Sequence, residues 1–331
     1  MFYRQLGQTD IQVSAMGLGC WAIGGPYYRN GRPMGWGAID DKASIRAIQV
    51  SIDHGVNLFD TADLYGCGHS ESVLGKALHM VRNNVVIASK FGYRIDEHSK
   101  QCTGKICLPN EIESALNNSL RRLQTDYLDV YNLHLRRCPA ALAADVQACL
   151  ESFVALGKIR AYGWSTDDVE QLSAFSPSPF FIGIQQALNV LQGNLELLRA
   201  AERRNLTVLC RSPLAMGLLT DKWTAKDAFA ASDLRSRWNM SAGNVPAMVD
   251  AVSDIRHILT QDGRTLVQGA LAWLWGKSDR TVPIPGFRNT EQALENIGAV
   301  DKGPLQAEQM QAIDELLTRS FPDNPWDLAE I

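Results

Sequence analysis

Short apolar runs of strand length recur eight times along the chain, and longer amphipathic stretches separate them. The runs fall at Met16–Gly19, Asn57–Asp60, Val85–Lys90, Leu128–His134, Ile159–Ser165, Phe181–Gln185, Thr207–Ser212 and Thr281–Pro285. Helical periodicity predicts helices over Asp41–His54, Ser70–Met80, Pro109–Leu123, Ala140–Leu156, Asp167–Ala174, Asn194–Asn205, Val249–Leu259 and Thr265–Trp275. Thr290–Ala299 and Gln306–Arg319 follow the last strand. Strands that alternate with helices run parallel, because each helix returns the chain to the start of the next strand. A closed (β/α)8 barrel and a doubly wound sheet both satisfy that rule. The doubly wound dinucleotide fold carries GxGxxG between its first strand and first helix. Here the first strand runs into GLGCWAIGG (residues 17–25), with the wrong spacing and a long irregular stretch in place of a helix. Eight units therefore predict an α/β fold, a (β/α)8 TIM barrel with an N-terminal β-hairpin over YRQL, GQTD and IQVS. No Pro/Gly/Ser-rich linker divides the chain, so residues 1–331 are expected to form a single domain.

Charge narrows the partners. A formal net charge of −4 with no basic run gives nucleic acid or an anionic membrane no electrostatic hold. No apolar run is long enough to span a bilayer, and MFYRQLGQTD lacks the apolar core of a signal peptide. Seven scattered cysteines argue against a disulfide framework and fit a cytoplasmic location. His98, Cys102 and Cys107 lie close in sequence, as do Cys67 and His69, without a CxxC pair, so no metal site is expected.

The longest irregular segments are Trp21–Ile39, Phe91–Leu108 and Pro213–Asn244. Each follows a strand, so all three share the C-terminal face, where a barrel builds its active site. The strand ends on that face are polar. Asp60 ends the second run and Tyr65 follows it in DTADLYG; Lys90 ends VVIASK, and His134 ends DVYNLH. Singly, each has an ordinary structural use as a turn cap, a core-edge phenol, a solvated ammonium or a structural imidazole. Together they are four titratable groups from three consecutive strands spaced roughly 4.8 Å apart. A phenol with a pKa of about 10 is a poor proton donor near neutral pH. An ammonium beside it lowers that value, and a carboxylate keeps the ammonium charged. Asp60 is thus expected to hold Lys90, Lys90 to tune Tyr65, Tyr65 to handle a proton, and His134 to hydrogen-bond the same substrate oxygen. That set suits carbonyl reduction, in which an oxygen gains charge and must be protonated. The hydride must come from a cofactor, since no side chain supplies one.

With those residues in place, the chain resembles the aldo-keto reductases over nearly its whole length. YRQLGQTDIQVSAMGLGCW resembles the family's opening hairpin and first strand, and NLFDTADLYGCGHSESVLGKAL its most specific signature. SKFG, LHLRR, GWST, RSPLAMGLLTDK and VPIPGFRNTEQALEN follow in the family's order. The resemblance implies a (β/α)8 barrel and NADPH (NADP+ in the reverse direction, NADH as the alternative), bound in extended form without a Rossmann motif. It implies Asp60, Tyr65, Lys90 and His134 as the catalytic set. It puts Ser165, Thr166 and Gln185 at the nicotinamide carboxamide, with Thr166 standing where the family often has Asn. Arg211 takes a place where many members stack an aromatic on nicotinamide, and a guanidinium can also stack. Ser212, Leu214, Gly217, Thr220 and Lys222 resemble the loop that straps the pyrophosphate. Gly286 stands where some members carry a Lys for the 2′-phosphate. Arg288 is then the phosphate ligand, with Gln292 and Asn296 beside it for phosphate or adenine; Asn296 reads equally well as a helix-end residue. Arg–phosphate pairing favours NADPH.

Substrate selection is expected from the loops. Trp21 and Tyr28, with Tyr27 and Trp36, and Phe91, with Tyr93, would form aromatic walls, while Arg136 and Arg137 would meet an anionic substrate. The expected function is NADPH-dependent reduction of small-molecule aldehydes or ketones. Two alternatives stay open: oxidation of a sugar or alcohol by the same chemistry, and a nucleotide-sensing regulatory subunit like the potassium-channel β subunits, which resemble this family. Short flanks around the repeating pattern favour a free-standing enzyme. The tail RSFPDNPWDLAEI, with Phe321 and Trp326, either folds back or covers another subunit, so a homo-oligomer is left open.

Overall fold

A computed structural model describes residues 1–222, 229–239 and 243–320, with residues 319 and 320 described by backbone alone. Phe321 and Trp326 lie outside the described residues. The barrel strands are β1 (Leu18–Gly19), β2 (Leu58–Asp60), β3 (Val86–Phe91), β4 (Leu128–Leu133), β5 (Ile159–Ser165), β6 (Phe181–Asn189), β7 (Thr207–Arg211) and β8 (Thr281–Pro283). Each pairs in parallel with the next, in sequence order. The ring closes through Gly17 N–H to Pro283 O (3.0 Å), Gly19 N–H to Pro285 O (2.9 Å) and a parallel bridge between Gly19 and Gly286.

Side chains alternate across each strand, so one set fills the barrel and the other meets the helices. Leu58, Val86, Ala88 and Val130 pack inside with Leu6, Ile11 and Val13 of the hairpin (Tyr3–Gln5 and Gln12–Ser14), which closes the end where the strands begin. Phe59, Ile87, Phe91, Tyr131 and Leu133 face outward into the helical layer. Phe91 is therefore not a pocket wall. It follows the inward-facing Lys90 by one residue, points the other way, and packs on Tyr131 with ring centroids 4.7 Å apart.

The outer helices include α1 (Asp41–Asp53), whose first turn is capped by the Asp40 carboxylate, and α2 (His69–Leu78). They continue with α3 (Pro109–Leu123), α4 (Ala140–Ala155), α5 (Leu195–Arg203), α6 (Asn244–Leu259) and α7 (Leu266–Lys277). After β8 come α8 (Thr290–Ile297), α9 (Ala299–Lys302) and α10 (Ala307–Ser320). The helix expected over Asp167–Ala174 is only a 3-10 turn, Val169–Ser173, capped by Asp168. Pro177 and Pro179 follow at once and leave no room to extend it. Among the described residues no helix is long and apolar enough to cross a membrane.

The two loops expected to be irregular after β1 and β3 build a small sheet over the C-terminal face. Arg32–Pro33, Tyr28–Arg29, Gln101–Lys105 and Tyr93–Asp96 lie side by side in that order. Asn30 and Gly31 both have positive φ (51° and 73°), which makes the two-residue turn that Asn-Gly favours. The loop after β7 reaches the same rim: Leu234 N–H donates to Gly35 O (2.9 Å), and Trp36 bridges to Asp233.

Candidate active site

The end of β2 leads straight into the site. Pairing with β3 continues past Asp60, with Thr61 N–H on Ala88 O (2.8 Å) and Asp63 N–H on Lys90 O (3.3 Å). The chain then coils through tight turns, with Tyr65 N–H on Ala62 O and Gly68 N–H on Asp63 O. At Gly66 (φ 61°) a Cβ would sit 1.8 Å from Gly24 O, so only glycine lets the β1 loop press against the backbone beside Tyr65.

Lys90 sits at the centre, fully buried. Its ammonium donates to Asp60 Oδ2 (2.7 Å), Thr61 O (2.7 Å) and the Tyr65 hydroxyl oxygen (3.1 Å), which uses all three of its protons. The second Asp60 oxygen accepts from Gln185 Nε2 (2.7 Å), a contact that crosses the barrel from β2 to β6. With a donor on each oxygen, Asp60 is a carboxylate. Burial raises its pKa, and the Lys90 ammonium and the Gln185 amide oppose that rise without cancelling it. Burial alone would depress Lys90, but Asp60 and Tyr65 overcome it and hold the ammonium above its ordinary value.

Tyr65 departs from the expectation. Burial raises its hydroxyl above the ordinary phenol value, and the opposing pull of Lys90 does not cancel that rise. Tyr65 is therefore a protonated phenol at neutral pH. Its oxygen accepts from Lys90, and among the described residues nothing accepts from its O–H. The Tyr65 ring lies edge-to-face with His134 (centroids 5.9 Å apart), and Tyr93 flanks the imidazole in the same way (5.8 Å). Burial and the Lys90, Arg211 and Arg29 charges push His134 well below its usual pKa, so the ring is neutral.

A neutral imidazole beside a protonated phenol, backed by a buried ammonium, offers two hydrogen-bonding groups to one oxygen. A match to the model of the Aldo/keto reductase family spans residues 15–318. The chain belongs to the aldo/keto reductase family. It is 30% identical to the NADH-specific methylglyoxal reductase of Escherichia coli, over 95% of this chain and 98% of that protein. The glycerol dehydrogenase of Gluconobacter oxydans has a similar structure, with a TM-score of 0.81, 29% identity and 98% of each chain covered. An aldo-keto reductase from Klebsiella pneumoniae, solved in complex with NADPH, superposes with a TM-score of 0.70 at 27% identity, with 96% of each chain covered.

The residues that resemble the family's cofactor ligands lie on β5 to β7 and in the segments that follow β5, β7 and β8. Ser165 and Gln185 are paired in register. Among the described residues Gln185 Oε1 is buried without a partner beside the Asp60 carboxylate, an acceptor that fits the NH2 of a nicotinamide carboxamide. The Thr166 hydroxyl is engaged locally: it donates to Arg136 O (2.8 Å) and accepts from Asp168 N–H (3.1 Å). Arg211 is ion-paired with Asp167, a residue the sequence reading treated only as a helix start. After β7, Ser212, Ala215, Met216 and Gly217 all have positive φ, and the chain coils tightly through Leu214 to Thr220. Non-glycine residues in that region cost about 1–3 kcal/mol each and tend to cluster at binding sites. Lys222 is exposed. Gly286 is open, since a Cβ there would meet nothing closer than 4.0 Å. Arg288 is exposed and donates to Ala38 O, its backbone N–H bonds Gln292 Oε1 (2.9 Å), and Asn296 bonds Gly286 O (3.2 Å).

Around Tyr65 the wall is aromatic. Trp21 stacks on Tyr65 (5.8 Å), meets Trp36 edge-on (5.3 Å) and bonds the Tyr27 hydroxyl. Tyr28 lies half-buried on the rim sheet. Arg136 is exposed at the end of β4, and Arg137 is ion-paired with Asp168. The sequence reading missed Arg29, Asp167 and Arg235. Arg235 lies over the Trp36 ring (4.8 Å) and donates to Met216 O, linking the β7 loop to the β1 loop. Of these, Arg29 carried a readable signal, the Asn-Gly turn in Arg29-Asn30-Gly31-Arg32.

Proposed function

We propose that this enzyme reduces a small aldehyde or ketone to the alcohol with NADPH, and that Tyr65 is the proton donor. The observation that carries the reading is the Lys90 contact to the Tyr65 oxygen, which uses that oxygen as an acceptor and leaves the phenolic proton without an acceptor among the described residues. The cofactor, when bound, supplies the hydride. As charge builds on the carbonyl oxygen, Tyr65 hydrogen-bonds and then protonates it, and the Lys90 ammonium stabilises the phenolate left behind. Asp60 keeps Lys90 charged and in place. His134, neutral, donates one N–H to the same oxygen and fixes its position. Gln185 ties the carboxamide end of the cofactor to the Asp60–Lys90 pair.

NADPH rather than NADH rests on Arg288, an exposed guanidinium beside Gln292 and Asn296. Arg288→Ala should weaken NADPH by roughly tenfold, the scale of one charge-assisted hydrogen bond, and weaken NADH much less. Equal losses in a fluorescence titration would remove the 2′-phosphate role. The direct test of the function is NADPH consumption with an aromatic, an aliphatic and a carboxylated aldehyde. Turnover of any of them supports reduction. Tight NADPH binding with no turnover of these substrates, and no oxidation of the matching alcohols, would favour a nucleotide-sensing subunit.

A further inference from the structure

Arg29 sits on the rim strand Tyr28–Arg29, in register with Cys102, which in turn pairs with Ile95. Paired residues share a sheet face. Cys102 and Ile95 pack into the cluster that contains Tyr65, so Arg29 lies on the face turned toward the site. Its guanidinium rests 5.0 Å above the centre of the Tyr93 ring and donates to the Tyr93 hydroxyl (3.5 Å). Tyr93 stands edge-on to His134. Arg29 is thus two ring contacts away from the point where the carbonyl reacts.

The charges around it are unequal. Lys90 is neutralised by Asp60, and Arg211 by Asp167. Among the described residues no carboxylate pairs with Arg29, or with Arg32, which lies directly opposite it across the Asn30-Gly31 turn. Like charges placed opposite each other repel, and an anion between or beside them would relieve that. The field of Arg29 also reaches the imidazole, since it is one of the charges that depress His134.

We propose that Arg29, flanked by Arg32, binds an anionic group of the substrate set apart from the reacting C=O, and so makes this enzyme selective for aldehydes and ketones that carry a carboxylate or phosphate. This assignment rests on the reductase reading of the same site. It also moves the anion contact from the β4 loop, where Arg136 and Arg137 suggested it, to the rim sheet.

The test compares 4-carboxybenzaldehyde with its neutral methyl ester in wild type, Arg29→Gln and Arg29→Glu. Wild type should favour the acid by about tenfold or more in kcat/KM, mostly through KM, as expected for one charge-assisted hydrogen bond. Arg29→Gln should bring the ratio near unity, and Arg29→Glu should invert it. No preference in wild type, or an unchanged ratio in Arg29→Gln, overturns the proposal. Absence of turnover with both substrates would count against the reductase reading instead. Calorimetric binding of terephthalate to the NADP+-loaded proteins then decides the anion site: binding lost in Arg29→Gln supports it, and binding that is absent or equal in both contradicts it.

Discussion

Asp60 and Asp63 stand three residues apart in one short stretch, both buried, and they serve two different networks. Asp60 faces the barrel interior and meets Lys90, Tyr65 and Gln185. Asp63 faces outward, beside the pair formed by Glu71 and Arg122 (2.7 Å), both of which are buried. In the outer network the Glu71–Arg122 pair is satisfied, while Asp63 Oδ1 beside it has no partner among the described residues. Glu71 accepts from Ser89 and Arg122, and Arg122 also bonds Glu97 and the Ser119 hydroxyl. In the inner network the Tyr65 proton, Gln185 Oε1 and His134 Nδ1 have no partner among the described residues. Equally buried ion pairs thus differ in what they leave open. A satisfied pair fixes the fold, whereas a pair ending in unfilled donors and acceptors is built to receive something else.

The largest effect expected is that of Lys90→Met. It leaves the Asp60 carboxylate buried without its partner and removes the charge that stabilises a Tyr65 phenolate. Turnover should fall by about 10²–10⁴, and stability by about 3–5 kcal/mol. Denaturant melts and NADPH oxidation read both effects, and normal turnover would remove Lys90 from the chemistry. Glu71→Gln should match it in stability alone. Arg122 then stays buried with only Glu97 as an ionised partner, a cost of about 3 kcal/mol, while kcat and KM of the folded enzyme stay in the wild-type range. A selective loss of kcat would erase the contrast between the two networks.

The smallest effect is on the pH profile. Burial and nearby cations hold His134 well below its usual pKa, so kcat/KM for reduction should show no step near the ordinary histidine value of about 6.5. Reduction needs the protonated phenol, and the Tyr65 pKa is raised. Activity should therefore persist through the ordinary tyrosine value of about 10 and fall only above it. The stability that Lys90 contributes has the same sense. Its folded pKa is raised, so the contribution is complete below the unfolded lysine value of about 10.4 and is lost as pH rises through the folded one. A drop in reduction between pH 7 and 9 would mean that Lys90 wins over burial at Tyr65.

Much of this was readable in the sequence. The alternation of short apolar and longer amphipathic runs predicts parallel βαβ units, and the count of eight without a GxGxxG after the first strand selects the barrel. The convergence of Asp60, Tyr65, Lys90 and His134 follows from their places at strand ends. What went astray depended on the direction of single side chains or on burial. Phe91 lies one residue past Lys90, and one residue is enough to turn it into the core. The rise in the Tyr65 pKa comes from how deeply its loop is packed, which no residue pattern states. The rim sheet left one sequence signal, the Asn-Gly turn in Arg29-Asn30-Gly31-Arg32, and none at Tyr93–Asp96 and Gln101–Lys105, where four and five residues of mixed polarity look like an ordinary loop.

The central claim is that the Tyr65 proton is the catalytic one and that Tyr65 serves the chemistry rather than cofactor binding. Tyr65→Phe isolates it, because only the hydroxyl is removed. Steady-state NADPH oxidation with an accepted aldehyde, measured beside an NADPH titration, is the most direct test. Turnover lower by about 10²–10⁴ with NADPH affinity kept is the predicted result. Full turnover, or a loss explained by weakened NADPH binding, would contradict it.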